Sequence, residues 1–217
     1  MRSARIIPFK RRQPPPSAVR SDRLTACRRL WEQRLDHLGD YILKLKQKGP
    51  DMDDLQYEVP ADAPVLILTR TFNAPRALVW KALSEPEHVV RWFGPHRHQN
   101  RVIAFDWRVG GKWQIETTTP EGHVIQFFGE YVEIVRPETV TQTFAFDALP
   151  PGVHSVDTVV LEDHGDKTIY RATSTLPDIA ARDGMMASGM DSGVREGFAR
   201  LDAMLEEFKA TVLGDGP

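Results

Sequence analysis

One short stretch sets the architecture of this chain: Phe72-Asn73-Ala74-Pro75-Arg76-Ala77-Leu78-Val79-Trp80-Lys81-Ala82-Leu83. The residues that lead into it, 65–72, are mostly apolar or β-branched and predict a strand. Pro75 suits the first position of a helix, where its missing N–H needs no partner. Glu85-Pro86 then begins a second short helix, which runs to Trp92 and ends at Gly94-Pro95. A strand followed by two short helices is therefore predicted.

Alternating apolar and polar residues after these helices predict an antiparallel meander. Ile103, Phe105 and Trp107 should share one side of the next strand, and Gly110-Gly111 is typical of a hairpin turn. Gly129 lies inside a long strand and indicates a bulge or bend. The predicted strands of the meander are residues 101–109, 112–119, 124–135, 139–146, 155–161 and 168–176.

A long helix is predicted at the end of the chain, from about Met185 to Phe208, because its apolar residues keep helical spacing. Gly189, Gly193 and Gly197 lie four residues apart along it. Glycine inside a helix costs about 1 kcal/mol relative to alanine. The three glycines therefore indicate either close packing against a neighbour or space left for a ligand, and both alternatives stay open.

The first part of the chain differs in charge from the rest. Residues 1–51 hold 13 Lys+Arg and 5 Asp+Glu, whereas residues 52–217 hold 15 and 25, and the whole chain has a net charge of −2. One hypothesis is that translation of the acidic domain begins at Met52. We expect a disordered basic, Pro-rich tail (1–23), an isolated amphipathic helix (24–48), a linker (49–64), a folded domain (65–209) and a second tail (210–217).

Composition excludes several classes of protein. No apolar run approaches the roughly 18 residues of a membrane span, and no secretory leader is recognisable at the N-terminus. A single cysteine, Cys27, excludes an internal disulfide and a cysteine-rich zinc site. We expect a cytoplasmic protein.

Several blocks of the chain resemble the START-like (SRPBCC) superfamily, in the AHSA-type branch homologous to the C-terminal domain of activators of the heat-shock-protein-90 ATPase. The resemblance implies an α+β helix-grip fold, with a curved antiparallel sheet of six or seven strands around a long C-terminal helix. It also implies a cavity between sheet and helix for a small apolar molecule, and a link to chaperones and stress response. The separate N-terminal domain of those activators has no counterpart here, so ATPase activation is not carried over. The matching blocks are residues 72–83, 86–88, 91–95, 110–113 and 185–193.

Residues 29–47 resemble the C-terminal helix of ArsR-type repressors, which serves there in dimerisation. The resemblance implies a protein partner or a homodimer formed through residues 24–47. The winged-helix body of such a repressor has no counterpart, so DNA binding is not expected, although the basic tail keeps it as an alternative.

Aromatic and flexible side chains at inward positions predict the walls of the ligand cavity. Gln142 shares a strand face with Phe144 and is the polar candidate, whereas Asp106 and Glu116 should point outward. An ordinary core position is the alternative for each residue. The predicted ligand-binding residues are Trp92, Phe93, Phe105, Trp107, Trp113, Phe127, Gln142, Phe144, Met186 and Met190.

No sequence motif identifies a catalytic residue or a metal site in this chain. His96 and His98 are spaced for two metal ligands on one strand, yet no third ligand accompanies them, so no metal site is predicted. Asp178 and Asp183 precede the last helix and are expected to cap it or to lie in its loop. No nucleophile elbow, phosphate loop or dinucleotide fingerprint is present, so no cofactor and no catalytic residue are predicted.

Three functional hypotheses follow. We favour a non-enzymatic protein that binds a small hydrophobic ligand. An enzyme of the cyclase or hydrolase kind would require an ionisable group with a perturbed pKa in the same cavity. A regulatory or co-chaperone-like interaction module would instead use the sheet surface or the helix at 24–47.

Overall fold

The computed structural model describes residues 55–214. The predicted tail 1–23, the helix 24–48 with its repressor-like segment 29–47, and the Met52 hypothesis fall outside the described residues. The described elements are β1 (Gln56–Glu58), β2 (Val65–Phe72), α1 (Arg76–Ser84), α2 (Pro86–Trp92), β3 (Gln99–Phe105), β4 (Lys112–Thr118), β5 (Val124–Val135), β6 (Thr139–Phe146), β7 (Ser155–His164), β8 (Lys167–Thr175), α3 (Ile179–Ala187) and α4 (Met190–Gly214).

The strands form one antiparallel sheet in the order β1-β2-β8-β7-β6-β5-β4-β3. This curved sheet with a long C-terminal helix confirms the predicted α+β helix-grip fold. The sheet has one strand more than expected, because Gln56–Glu58 pairs with β2 inside the segment predicted to be a linker. Leu55 and Tyr57 pack in the core, so the domain extends further toward the N-terminus than residue 65.

The predicted C-terminal helix consists of two helices. α3 ends at Ala187 and α4 begins at Met190, with Gly189 between them at a φ of 81°. That left-handed conformation suits glycine and explains why the chain turns there. α4 then continues to Gly214, beyond the predicted helix end at Phe208. As expected, Asp178 is a helix cap: its side chain accepts a hydrogen bond from the Ala181 backbone N–H at 2.8 Å at the start of α3. The expectation for Asp183 was wrong, because Asp183 lies inside α3, where it pairs with Arg182.

The interior divides into two clusters of buried side chains. α4 packs through Phe198 and Leu201 on the β1, β2, β7 and β8 half of the sheet, where the Phe72 and Phe198 rings meet edge to face at 5.4 Å. The second cluster lies on the inner face of β4, β5 and β6, and α2 contributes Val89 to it. Because the long helix occupies one half of the sheet, the short helix α2 and the residues after it cover the other half.

Local irregularities change two predicted strand features. A register shift between Val102 and Ala104 turns Ile103 away from the side of Phe105, and Ile103 is 43% exposed. Gly129 is a site of close approach, because an added Cβ would lie 1.9 Å from the backbone oxygen of Thr143. The bulge of β5 falls after it, between residues 131 and 133.

Among the described helices, none is long and apolar enough to cross a membrane.

Candidate functional site

A cavity of about 110 Å³ lies in the second cluster, beneath α2. Its walls are mostly aromatic and aliphatic, as expected for a site that holds an apolar molecule. α1 and α2 contribute to one side and the inner face of the sheet to the other. The lining residues are Leu83, Val89, Trp92, Phe93, Phe105, Trp107, Trp113, Ile115, Tyr131, Val140, Gln142, Phe144, Val159 and Tyr170.

Most of the predicted binding residues meet in this cavity. Phe127 lies beside it, with ring contacts to Phe93 at 5.3 Å and to Phe144 at 5.8 Å. Met186 and Met190 belong to α3 and α4 and are not among the lining residues, because α4 covers the opposite half of the sheet. The cavity is therefore bordered by α2 and Phe93 and not by the long helix. The predicted residues in its walls are Trp92, Phe93, Phe105, Trp107, Trp113, Gln142 and Phe144.

Asn100 on β3 fastens the end of α2 over the cavity. Its side-chain amide donates to the backbone oxygen of Val90 at 3.2 Å and to that of Phe93 at 2.6 Å. The buried hydroxyl of Thr117 donates to the Asn100 side-chain oxygen at 2.8 Å, which sets the orientation of the amide. Asn100 was not among the predicted site residues, because a polar residue in a strand has no sequence signature that separates an anchor from a solvated side chain.

The long helix α4 also packs closely against the end of α2 and the residues that follow it. An added Cβ at Gly197 on α4 would lie 2.9 Å from the backbone oxygen of Trp92 and 3.4 Å from the backbone N of Gly94. Gly193 lies one turn earlier, where an added Cβ would be 3.6 Å from the Pro95 ring. For these two glycines the structure supports close packing rather than space for a ligand.

Aromatic rings form a continuous wall of the cavity. Phe105 and Trp107 stack at 5.6 Å with an interplanar angle of 7°, and Tyr131 meets Trp107 edge to face at 4.7 Å. Trp80 contacts Trp107 from behind at 5.8 Å. Such packing holds the rings in place, so the cavity presents flat apolar surfaces in a defined arrangement.

The apolar walls also carry polar atoms. The indole N–H groups of Trp107 and Trp113 are buried and have no hydrogen-bond partner among the described residues. Burial raises the pKa of the Tyr131 phenol, which therefore stays protonated. Each unpaired buried donor costs about 1–3 kcal/mol.

Asp157 on β7, which was not among the predicted site residues, is a half-buried acid whose Oδ1 is enclosed. It lies opposite Gln142 on β6 and opposite Ser174 on β8, on the same face of the sheet as Val159. Burial raises the pKa of the Asp157 carboxyl to about 6, and the hydroxyls of Ser174 and Ser155 act in the opposite direction. Its position in the alternation with Val159 was the signal that could have found it.

A family model described as activator of Hsp90 ATPase homolog 1-like protein matches residues 73–206. The chain belongs to this family. The match confirms the AHSA-type, START-like resemblance stated from the sequence. Among curated proteins, none matches the chain.

Solved structures of several bacterial proteins share the fold of this chain. A protein from Mycobacterium smegmatis is 21% identical with a TM-score of 0.63, over 70% of this chain and 97% of that one. A protein from Arthrobacter aurescens is 25% identical with a TM-score of 0.65, over 70% and 91%. A protein from Rhodobacter sphaeroides is 24% identical with a TM-score of 0.65, over 71% and 99%.

Residues from the blocks that carry the AHSA-type resemblance pack in the core and position α2. Val79 and Trp80 of α1 are core residues. Trp92 donates its indole N–H to the backbone oxygen of Ala82 at 2.9 Å and so ties α2 to α1. Gly94 follows α2 with a φ of 65°, which brings Pro95 against α4. These contacts hold α2 in its position over the cavity.

The other polar candidates lie outside the AHSA-type cavity. His96 is exposed, and its Nδ1 lies 2.5 Å from Oε2 of Glu196 on α4. As predicted, Asp106 and Glu116 point outward and pair with arginines, at 2.8 Å in each case. Within residues 55–214, the potential metal ligands that lie together are Glu85, Glu87 and His88, without His96 or His98.

Proposed function

We propose that this AHSA-type domain binds one small, mainly apolar molecule in the cavity beneath α2. The observation that supports it is an interior space with aromatic walls that the neighbouring side chains do not fill. Protein interiors are packed as tightly as organic crystals, so an unfilled space among large rings forfeits dispersion energy that a ligand of suitable shape restores.

The size of the cavity restricts the ligand. Its volume is about 110 Å³, whereas a cavity of about 150 Å³ holds a benzene molecule and sites for drug-sized ligands span about 300–1,000 Å³. The conformation described here therefore suits a short branched chain, and a single ring enters only after a small outward displacement of α2. A lipid would fit only after α2 moves away from the sheet.

Binding of 4-fluorotoluene, followed by ¹⁹F NMR during titration with protein, tests the proposal. The expected result is saturable binding by the wild type and its loss in Val159→Phe, which fills the cavity from β7. Val124→Phe makes the same change at an exposed position of β5 and should bind as the wild type does. Absence of saturable binding, or equal binding by both variants, would refute a ligand site beneath α2.

One observation supports an enzymatic function as the second candidate. The enzyme hypothesis requires an ionisable group with a perturbed pKa in the cavity, and Asp157 adjoins the cavity with a raised pKa. Hydrolysis of a single-ring ester such as phenyl acetate by the wild type, lost in Asp157→Asn, would support catalysis. Equal rates for the two proteins would leave binding as the function.

A further inference from the structure

Asp157 lies next to the apolar cavity, directly across from the lining residue Gln142, although it is not itself one of the lining residues. Side chains directly opposite each other in an antiparallel pair have Cβ atoms about 4.5–5.5 Å apart. Asp157 has this relation to Gln142, which lines the cavity, and Val159 and Tyr170 border the cavity on the same face. The carboxyl therefore stands at one end of the proposed site, next to its walls.

The carboxyl is enclosed but incompletely paired. Asp157 is partly buried as a residue, yet its Oδ1 is fully enclosed and has no hydrogen-bond partner among the described residues. The hydroxyl of Ser155, on the same strand face, lies close enough to lower the pKa of the carboxyl, but it makes no hydrogen bond of good geometry to it or to another described residue. A buried ionised acid without a donor or cation is costly, and supplying a donor recovers much of that cost.

Among residues 55–214, no cation contributes to the shifted pKa of the Asp157 carboxyl. Burial and two serine hydroxyls account for its shifted pKa, and the titratable group that responds to its charge is Tyr170 on β8. The charged and titratable groups on the adjoining strands and on α4 pair with one another and not with Asp157. Arg70 of β2 pairs with Asp202 of α4. Tyr57 of β1 interacts with Asp191 of α4, which also pairs with Arg195.

We propose that Asp157 is the polar end of the binding site and that the ligand presents a hydrogen-bond donor to it, a hydroxyl or an ammonium group. The proposal rests on the function proposed above and adds the chemical class of the ligand: an apolar ring or short chain that ends in an alcohol or a protonated amine. A hydrogen bond to a charged group is among the stronger ones in proteins, so the donor adds both affinity and orientation.

Two matched ligands separate this proposal from the general binding function. 4-Fluorotoluene and 4-fluorobenzyl alcohol share the ring and the ¹⁹F reporter, and only the alcohol carries a donor. Neither titrates near neutral pH, so any pH dependence belongs to the protein. Titrations at about pH 5 and about pH 7.5, with the wild type and with Asp157→Asn, measure the dissociation constants.

The wild type should bind the alcohol about tenfold more tightly at the higher pH, because a carboxyl with a pKa of about 6 goes from about one-tenth ionised to almost fully ionised. Asp157→Asn should remove this step, and the affinity of the wild type for toluene, which carries no donor, should be the same at the two pH values. An alcohol affinity that is independent of pH, or that changes equally in both proteins, overturns the proposal while toluene binding still supports the cavity. If neither ligand binds the wild type, the binding function fails and this proposal fails with it.

Discussion

Gly197 sets the distance between α4 and the end of α2, and its replacement by alanine tests this directly. Alanine in a helix is favoured over glycine by about 1 kcal/mol. At Gly197 the new Cβ would meet two backbone atoms, the oxygen of Trp92 at 2.9 Å and the nitrogen of Gly94 at 3.4 Å. Backbone cannot rotate away as a flexible side chain can, so α2 and α4 must separate.

The magnitude follows from two opposing terms. Overpacking of a well-packed interior costs about 1–3 kcal/mol, and the helix propensity of alanine offsets about 1 kcal/mol of it. We expect Gly197→Ala to destabilise the domain by about 1–2 kcal/mol. For a domain of this size, each kcal/mol shifts the melting temperature by about 2–4 °C.

Two other glycine replacements serve as matched controls. Gly184 lies inside α3, and an added Cβ there would meet no heavy atom within 4 Å. An added Cβ at Gly193 would make an ordinary contact, 3.6 Å from the Pro95 ring. Both replacements should stabilise the domain by about 0.5–1 kcal/mol, because they gain helix propensity without a clash.

Urea unfolding followed by tryptophan fluorescence measures the three variants. The midpoints should move in opposite directions, downward for Gly197→Ala and upward for the two controls, with unchanged slopes. If Gly197→Ala stabilises the domain as much as Gly184→Ala does, the contact with Trp92 yields freely. The glycine then does not set the position of α2, and the reasoning is wrong.

The remaining predictions concern one buried acid, one anchor and one strand. The Asp157 carboxyl, with a pKa raised from 3.8 to about 6, contributes stability that is present below about pH 4 and lost as the pH rises through 6. Asp157→Asn should therefore raise the free energy of unfolding at pH 7.5 by up to about 3 kcal/mol. Its melting temperature should also vary less between pH 4 and 6 than that of the wild type. A pH profile like that of the wild type would contradict the burial of the acid. Asn100→Asp keeps the shape of the side chain but replaces its N–H donor with an oxygen that faces two carbonyl oxygens. The free energy of unfolding measured in urea should therefore fall by about 2–4 kcal/mol. A fall below about 0.5 kcal/mol would show that the anchor is dispensable. Gly129→Ala would place a Cβ 1.9 Å from the Thr143 oxygen and should lower the melting temperature by several degrees, and an unchanged melting temperature would mean that β5 and β6 separate at little cost.

The proposed ligand and the proposed role of Asp157 divide the site into two regions. The aromatic walls beneath α2 supply apolar area, and the acid at one end supplies orientation. A site of this kind selects a ligand by the position of one polar group, because an unmatched donor or acceptor in a buried region costs more than one missing methylene.

Local sequence patterns predicted much of the fold. The residues around Pro75 indicated the strand and two helices, and alternation gave the strands and placed Phe105, Trp107 and Gln142 on the inner face. These features depend on backbone propensities and on the period of two in a strand, both of which operate over a few neighbouring residues. The family resemblance, carried by several separate blocks, was confirmed over residues 73–206.

Features that depend on contacts between distant segments were not visible in the sequence. Ile103 turned outward because of one extra residue in β3, and Met186 fell outside the cavity because α4 covers the other half of the sheet. The anchoring role of Asn100 and the raised pKa of Asp157 depend on which side chains and carbonyls surround them after folding. A local sequence pattern can predict that a residue faces the interior. Its burial, its hydrogen-bond partners and therefore its pKa depend on the neighbours that surround it after the chain has folded.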